Sequence, residues 1–258
     1  MMIRFCLFLS AFAGVFLVGS EEESVRDVTI KKGQISHCPF GVVLLDAEAS
    51  KVMNVMSSAN LDTGIAIWSS SNIVVRNNHT YGNGNHGIQS WESSNNLIKH
   101  NTSMDNGSGF AGSGIDLVYE SNSLIMCNRV HGNTDGILLA PSLDSEKTSS
   151  GNLLQGNVVT GNVSGIGMMG FSWDGFYWLD IPNTNTIKSN IVEANGWFNV
   201  FEIYYDLSTG DVLPHPDDSC MNDWVKNQFG PPVLGPDGCF GTPAMLDEDD
   251  VCALDDDD

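Results

Sequence analysis

The chain has 258 residues and a formal net charge of −21 at pH 7, from 11 Lys and Arg against 32 Asp and Glu. This balance argues against a nucleic-acid-binding protein, because phosphate binding needs a basic surface that the chain lacks. Much of the acidic excess lies in 246–258. We interpret this segment as a solvated, disordered tail, with weak calcium binding as the alternative.

The first twenty residues have the pattern of a secretory signal peptide. Arg4 supplies a positive start, an apolar run follows over 5–18, and Gly19 and Ser20 are small enough for cleavage. An uncleaved anchor is the alternative, although a spanning helix needs roughly 18 apolar residues. We therefore predict a secreted, extracellular monomer that has no membrane association after cleavage.

Removal of this segment leaves five cysteines in a compartment that favours disulfides. Cys220 and Cys239 flank a compact segment rich in Trp, Pro and Gly, and we predict a disulfide between them. Cys127 lies inside a repeat, where a buried free thiol and a disulfide are both open. Because five is odd, at least one thiol would stay free or pair with another chain.

A six-residue phrase recurs along the chain. It consists of Asn or Ser, two mostly aliphatic residues, two free positions and Asn, at 72–77, 96–101, 123–128, 152–157 and 185–190. A second asparagine follows five residues later in four copies, at Asn106, Asn133, Asn162 and Asn195. A period in the twenties indicates stacked supersecondary units. Asparagines at equivalent turns of such a stack can form hydrogen-bonded ladders.

A Gly-Ile pair opens a short alternating stretch in each repeat, beginning at Gly64, Gly87, Gly114, Gly136 and Gly165. Strict alternation predicts a strand with one buried face. The isoleucine and the second residue after it would point inward, and the residues between them outward. A parallel sheet of an α/β protein is the competing fold, but no segment shows helical periodicity.

The asparagine phrase and the Gly-Ile pair together resemble the repeat of right-handed parallel β-helix proteins of the pectin-lyase-like superfamily. The resemblance covers roughly residues 28–205 and implies an all-β solenoid of about seven coils. Residues 220–241 resemble the segments that follow the repeats in secreted members. The predicted organisation is a signal peptide at 1–20, a β-helix at 21–206, a Cys/Pro/Gly-rich cap at 207–245 and an acidic tail at 246–258.

The alternation places four polar and aromatic side chains on one outer face: Trp68, Gln89, Trp91 and Asp116. Tyr119 at a strand end, and His86 and Asp135 just before their Gly anchors, would join them there. Aromatic rings pack against sugar rings while a few polar groups fix their orientation. We predict Trp68, Gln89, Trp91 and Tyr119 as polysaccharide-binding residues. The alternative is that a loop, at 106–113 or 142–150, folds over these rings.

The candidate catalytic residues on this face are His86, Asp116 and Asp135. The two aspartates would stand on adjacent coils, where their carboxyl groups would approach the ~6.5–9.5 Å separation of inverting glycosidases. Against this, an aspartate in a Thr-Asp-Gly turn commonly bonds its own backbone. A lyase or epimerase acting on a polyuronate also needs a cation, so calcium is the one cofactor considered, and no other metal site is predicted.

The superfamily includes lyases, hydrolases, C5-epimerases, phage tailspikes and proteins without demonstrated catalysis. The sequence therefore leaves open a polysaccharide-binding protein with or without one of these activities. A structural or adhesive surface protein is the second hypothesis, and a chain that lost catalysis is the third.

Four asparagines lie in Asn-x-Ser/Thr sequons: Asn78, Asn101, Asn106 and Asn162. The last three fall in the ladder columns, where a buried amide could not carry a glycan. Asn78 lies outside both columns in this alignment, so we predict it as the glycosylation site.

Overall fold

The computed structural model describes residues 2–3, 12–20, 23–107, 112–174, 176–213, 220–236, 238–246 and 252. Within these ranges the chain consists of short strands joined by turns, and it has no helix that is long and apolar enough to span a membrane. Successive turns of the chain add one strand to each of three long sheets, so that the described residues form a parallel β-helix.

The sheet that carries the candidate site has eleven described strands. In order they are Ala13–Val18, Phe40–Leu45, Ile65–Trp68, Ile88–Trp91, Ser113–Val118, Asp135–Ala140, Ser164–Trp173, Phe198–Asp206 and Val212–Leu213, with Phe176–Leu179 and Val233–Leu234 attached to the two long strands. Phe176–Leu179 and Val212–Leu213 pair antiparallel, and the other strands pair parallel.

The other two long sheets are built from strands of two or three residues. The nine described strands of one are Met2–Ile3, Gln34–Ser36, Met56–Ser58, His79–Tyr81, Thr102–Met104, Arg129–His131, Val158–Thr160, Ile191–Glu193 and Gln228–Phe229. The eight of the other are Thr29–Lys31, Lys51–Met53, Val74–Arg76, Leu97–Lys99, Leu124–Met126, Leu153–Gln155, Thr186–Lys188 and Asp223–Val225. Val25–Arg26 and Ala47–Glu48 form a separate pair.

The hydrophobic core is a column of aliphatic side chains inside the coils. The isoleucines after the Gly anchors stand opposite one another in the register Ile65–Ile88–Ile115–Ile137–Ile166, and all are fully buried. Stacking identical side chains in this way removes most of their apolar surface from water, at about 25 cal/mol per Å². The predicted inward positions are therefore confirmed.

The glycine of each anchor is required by close packing between coils. A Cβ at Gly87 would lie 1.9 Å from Ser103 Oγ and 2.7 Å from the carbonyl oxygen of Gly114. Since real Cβ atoms do not approach so closely, a larger residue would force the coils apart.

Two asparagine ladders run the length of the stack. In the first, the backbone N–H and the side-chain amide of each member donate to the side-chain oxygen of the next member, at 2.9–3.0 Å: Asn78, Asn101, Asn128, Asn157, Asn190 and Asn227. The second contains Asn60, Asn83, Asn106, Asn133, Asn162, Asn195 and Asn199. Each bond contributes roughly 0.5–1.5 kcal/mol net.

The premise on which Asn78 was predicted as the glycosylation site is wrong by one residue. Asn78, and not Asn77, is the ladder member: it is 2% exposed and its amide donates to Asn101 Oδ1 and to the carbonyl oxygen of Val52. Asn77 has φ = 55°, a left-handed conformation that asparagine tolerates well. Because the two asparagines are adjacent, the sequence pattern assigned the ladder position of this repeat to Asn77 and not to Asn78.

A buried carboxyl group lies among the coils at Glu120. Its side chain is fully buried and accepts hydrogen bonds from Ser90 Oγ, Asn96 Nδ2 and the Ser123 hydroxyl. Desolvation raises the pKa of Glu120, and the three hydrogen bonds partly oppose that rise.

The described residues near the two ends of the chain fall in the predicted signal peptide and the predicted cap. Ala13–Val18, inside the predicted signal peptide, is the first described strand of the eleven-stranded sheet; its cleavage stays a prediction. Near the other end, the Trp224 and Phe240 rings pack 5.0 Å apart between centroids. A disulfide joins Cys220 and Cys239, the pair favoured from the sequence.

A second disulfide ties the acidic end of the chain to the coils. It joins Cys127, for which the sequence left a bond or a free thiol open, to Cys252. None of the described cysteines is free. The predicted acidic tail is otherwise almost entirely outside the described residues.

Candidate functional site

The candidate site lies on the outer face of the eleven-stranded sheet. The strands Ile65–Trp68, Ile88–Trp91 and Ser113–Val118 pair in register, so Trp68 stands opposite Trp91, and Gln89 opposite Asp116. Asp135, on the following strand, stands opposite Ser113. The predicted site residues on these strands therefore occupy neighbouring coils about 4.8 Å apart.

A hydrogen-bonded chain of side chains converges on Asp116. Gln89 Nε2 donates to Asp116 Oδ2 at 3.0 Å, and Trp68 Nε1 donates to Gln89 Oε1 at 3.1 Å. The side chain of Asp116 is only 5% exposed. Asp116 is thus a buried carboxylate held in place by its neighbours. The sequence led us to expect this side chain to be open to solvent, and the structure corrects that expectation.

His86 is oriented by the backbone. The N–H of Ser113 donates to His86 Nδ1 at 3.1 Å, so Nδ1 must carry the lone pair. The neutral ring then bears its proton on Nε2, which lies 3.5 Å from Asp116 Oδ2. This arrangement selects one tautomer of His86 and places its Nε2 beside the carboxyl group of Asp116.

Asp135 has a raised pKa. Desolvation by burial, together with the nearby Asp116 carboxylate, raises the pKa of Asp135 to about 6, while a hydrogen bond with Ser164 partly opposes the rise. Asp135 therefore keeps its proton at a higher pH than an ordinary aspartate does. A carboxyl group with a raised pKa is typical of acid–base sites.

The two tryptophans form one side of an open pocket of about 240 Å³, lined by Trp68, Ser69, Trp91, Glu92 and Asp144. Both indoles are partly buried. The ring of Phe40 packs edge-on against Trp68, with centroids 5.3 Å apart. The anticipated loop does reach this region, since Trp91 Nε1 donates to Ser142 Oγ at 3.4 Å. The loop supports one edge of Trp91 and leaves the pocket open.

Tyr119 lies under the same loop. The ammonium group of Lys147 is 5.0 Å from the centre of the Tyr119 ring, a cation–π contact. Tyr119 has φ = 48° at the end of its strand. Its ring is therefore already engaged within the protein, whereas Trp68 and Trp91 line the pocket.

The structure brings His86, Gln89 and Asp116 into contact, with Trp68 bonded to Gln89, and it places Asp135 within the electrostatic influence of Asp116. Sequence reasoning missed Glu92, Ser142 and Asp144. Glu92 directly follows Trp91, but the two loop residues carry no periodic signal. Among the described residues, no three His, Cys, Asp or Glu side chains are grouped so as to hold a metal. The calcium expectation stays a prediction.

A family model described as a right-handed β-helix region matches residues 13–173. No curated protein sequence matches this chain significantly. Similar solved structures share the fold at low identity. A periplasmic alginate epimerase has a TM-score of 0.61 and 20% identity, with 84% of this chain and 49% of that chain covered. A mannuronan C-5 epimerase A-module from Azotobacter vinelandii has a TM-score of 0.59 and 20% identity, covering 86% and 64%.

An alginate lyase from Paenibacillus sp. str. FPU-7 has a TM-score of 0.55 and 13% identity, with 90% of this chain and 89% of that chain covered. The first similar structures are longer proteins, of which this chain spans between a third and a half. At these identities the likeness is one of fold.

Proposed function

The chain belongs to the right-handed β-helix family, and we propose that it binds a polysaccharide along the outer face of its eleven-stranded sheet. The observation that carries this proposal is the open pocket between Trp68 and Trp91, two indoles in register on adjacent strands. Partly exposed indoles side by side are costly in water unless a ligand covers them. Sugar rings stack on such surfaces.

The polar cluster beside the pocket supports the same proposal. Gln89 bonds both to Asp116 and to Trp68 Nε1, so this buried cluster fixes the position of one indole. Ser69, Glu92 and Asp144 are the polar residues that line the pocket itself. A sugar polymer needs both an apolar surface for its ring faces and directed polar groups for its hydroxyls. The epimerases and the lyase with this fold are themselves named for polysaccharide substrates, which is consistent with this assignment.

Binding is tested by titrating immobilised polysaccharides and soluble oligosaccharides with wild type, Trp91→Ala and Trp91→Phe. Loss of the indole should weaken affinity roughly tenfold or more, and Phe should restore part of it, because a stacked ring contributes on the order of 1–2 kcal/mol. Tyr81→Ala is the matched control, since it removes a partly exposed ring from the nine-stranded sheet. Equal loss in Trp91→Ala and Tyr81→Ala, or no binding by any folded protein, would refute the proposal.

Acid–base cleavage of the bound polymer is a second candidate function, favoured by the raised pKa of Asp135. Asp135 would donate its proton to the glycosidic oxygen as the bond from that oxygen to the anomeric carbon breaks. A water molecule would add to the anomeric carbon, and the proton that it releases would restore the acid form of Asp135. Asp116 would act as a positioning residue, because its buried charge helps to keep that proton on Asp135. Asp135→Asn should then abolish release of shorter oligosaccharides while binding persists. If wild type binds but never shortens a polymer, the protein is a binding protein.

A further inference from the structure

Two carboxylates border the same pocket as the two indoles. Glu92 and Asp144 complete the lining formed by Trp68, Ser69 and Trp91, and none of these five residues is basic. An indole face attracts a cation through its quadrupole, and a carboxylate attracts it by charge. This combination suits a protonated amine better than a neutral hydroxyl, and it repels a carboxylate.

One ordered turn holds the Glu92 carboxylate and the backbone of Asp144. Ser142 Oγ donates to Glu92 Oε1 at 2.8 Å, and the backbone N–H of Asp144 is 3.3 Å from the same Ser142 oxygen. The turn is closed by a 2.7 Å hydrogen bond from the N–H of Ser142 to the carbonyl oxygen of Lys147. Asp144 is exposed and Glu92 is partly buried, so a ligand can reach both.

The surrounding charges reinforce this preference. Lys147, the basic residue of that turn, has its ammonium group over the ring of Tyr119 and does not line the pocket. Asp116 and Asp135 lie in the neighbouring cluster, and His86 is oriented there as a neutral ring. The whole chain has a net charge of −21. A field of this sign attracts a polycation and repels a polyuronate.

We propose that the Trp68–Trp91 pocket binds the protonated amino group of an amino-sugar polymer with free amines, a polymer of glucosamine being the simplest case. A pyranose ring would stack on an indole while its ammonium group pairs with Glu92 and Asp144. This inference rests on the proposed function, because it names the substrate class for the same face of the sheet. It replaces the polyuronate considered from the sequence with a ligand of opposite charge.

The test compares three oligomers of equal length by titration calorimetry: glucosamine, N-acetylglucosamine and galacturonate. The glucosamine oligomer should bind most tightly and lose affinity as salt is raised, because its contacts are ionic. Glu92→Gln combined with Asp144→Asn should weaken glucosamine binding roughly tenfold and leave N-acetylglucosamine binding unchanged. Trp91→Ala should weaken both.

A matched control is Glu193→Gln combined with Asp223→Asn, which removes two exposed negative charges from the other two sheets. An equal loss in this control would show attraction to net charge and overturn the pocket assignment. If the glucosamine and N-acetylglucosamine oligomers bind equally well and Trp91→Ala weakens both, the inference is overturned and the proposed function stands. Absence of binding to every oligomer would refute both. Charge-dependent binding of oligolysine alone would indicate a basic protein partner and overturn the inference.

Discussion

Asp135→Asn should stabilise the protein at neutral pH and not at acidic pH. The pKa of Asp135 is raised from 3.8 to about 6 in the folded protein. Between these values the folded state binds more protons than the unfolded state, so the free energy of unfolding falls as pH rises through this window and is level above it. Ionised Asp135 therefore destabilises the fold, whereas asparagine carries no charge at any pH.

The magnitude follows from the two pKa values. They differ by about 2.2, and each pKa unit corresponds to about 1.4 kcal/mol, which gives an upper value of about 3 kcal/mol. Because Asp135 keeps some solvent contact, we expect about 2–3 kcal/mol in total. About 1.5–2 kcal/mol of this should appear between about pH 4.5 and about pH 8.

The measurement is urea unfolding of wild type and Asp135→Asn across this pH range. The difference between their free energies of unfolding isolates Asp135, because all other acidic residues are common to both proteins. Asp223→Asn, at an exposed position, is the matched control and should give a difference that hardly changes with pH. A difference between Asp135→Asn and wild type that stays constant from acid to neutral pH would refute the reasoning about this site.

Three further outcomes are expected. Asn128→Ala should lower the free energy of unfolding by roughly 2–3 kcal/mol, since it leaves buried ladder partners unpaired. The control Asn77→Gly, at a left-handed position beside the ladder in another coil, should change this free energy little. Equal losses for the two variants in urea unfolding would contradict the role of the ladder. Gly87→Ala should lower the free energy of unfolding by about 2–3 kcal/mol, because the added methyl group overpacks the space between coils. An unchanged free energy in urea unfolding would contradict the close approach of the coils. After expression through a glycosylating secretory pathway, peptide mapping should find no glycan on the four sequon asparagines, because all are buried in the ladders: Asn78, Asn101, Asn106 and Asn162. A glycan on any one of them would contradict this prediction.

The repeat was readable from the sequence because its signals are local and periodic. Each Gly-Ile pair allows close packing between coils and fills the core, and each ladder asparagine bonds to the next coil. Because every coil has these same requirements, the same residues recur at the same positions of the repeat. The one error in register arose at Asn77 and Asn78, where adjacent asparagines satisfy different requirements. The backbone conformation of Asn77 and the hydrogen bonds of Asn78 separate them, and neither is visible in the sequence.

The outer face was predictable as a set of residues, and its chemistry was not. Alternation placed Gln89 and Asp116 on one side of the strands, and the position before the Gly anchor added His86. Their mutual contacts, the burial of Asp116 and the raised pKa of Asp135 depend on distances between coils. Glu92 and Asp144 meet at the pocket only because the turn at 142–147 folds back onto Trp91. The sequence alone specified the solenoid, because a stacked repeat places the same residues at the same spacing in every copy. The pocket depended on the tertiary structure, because it occurs once and combines residues from strands and from a distant loop.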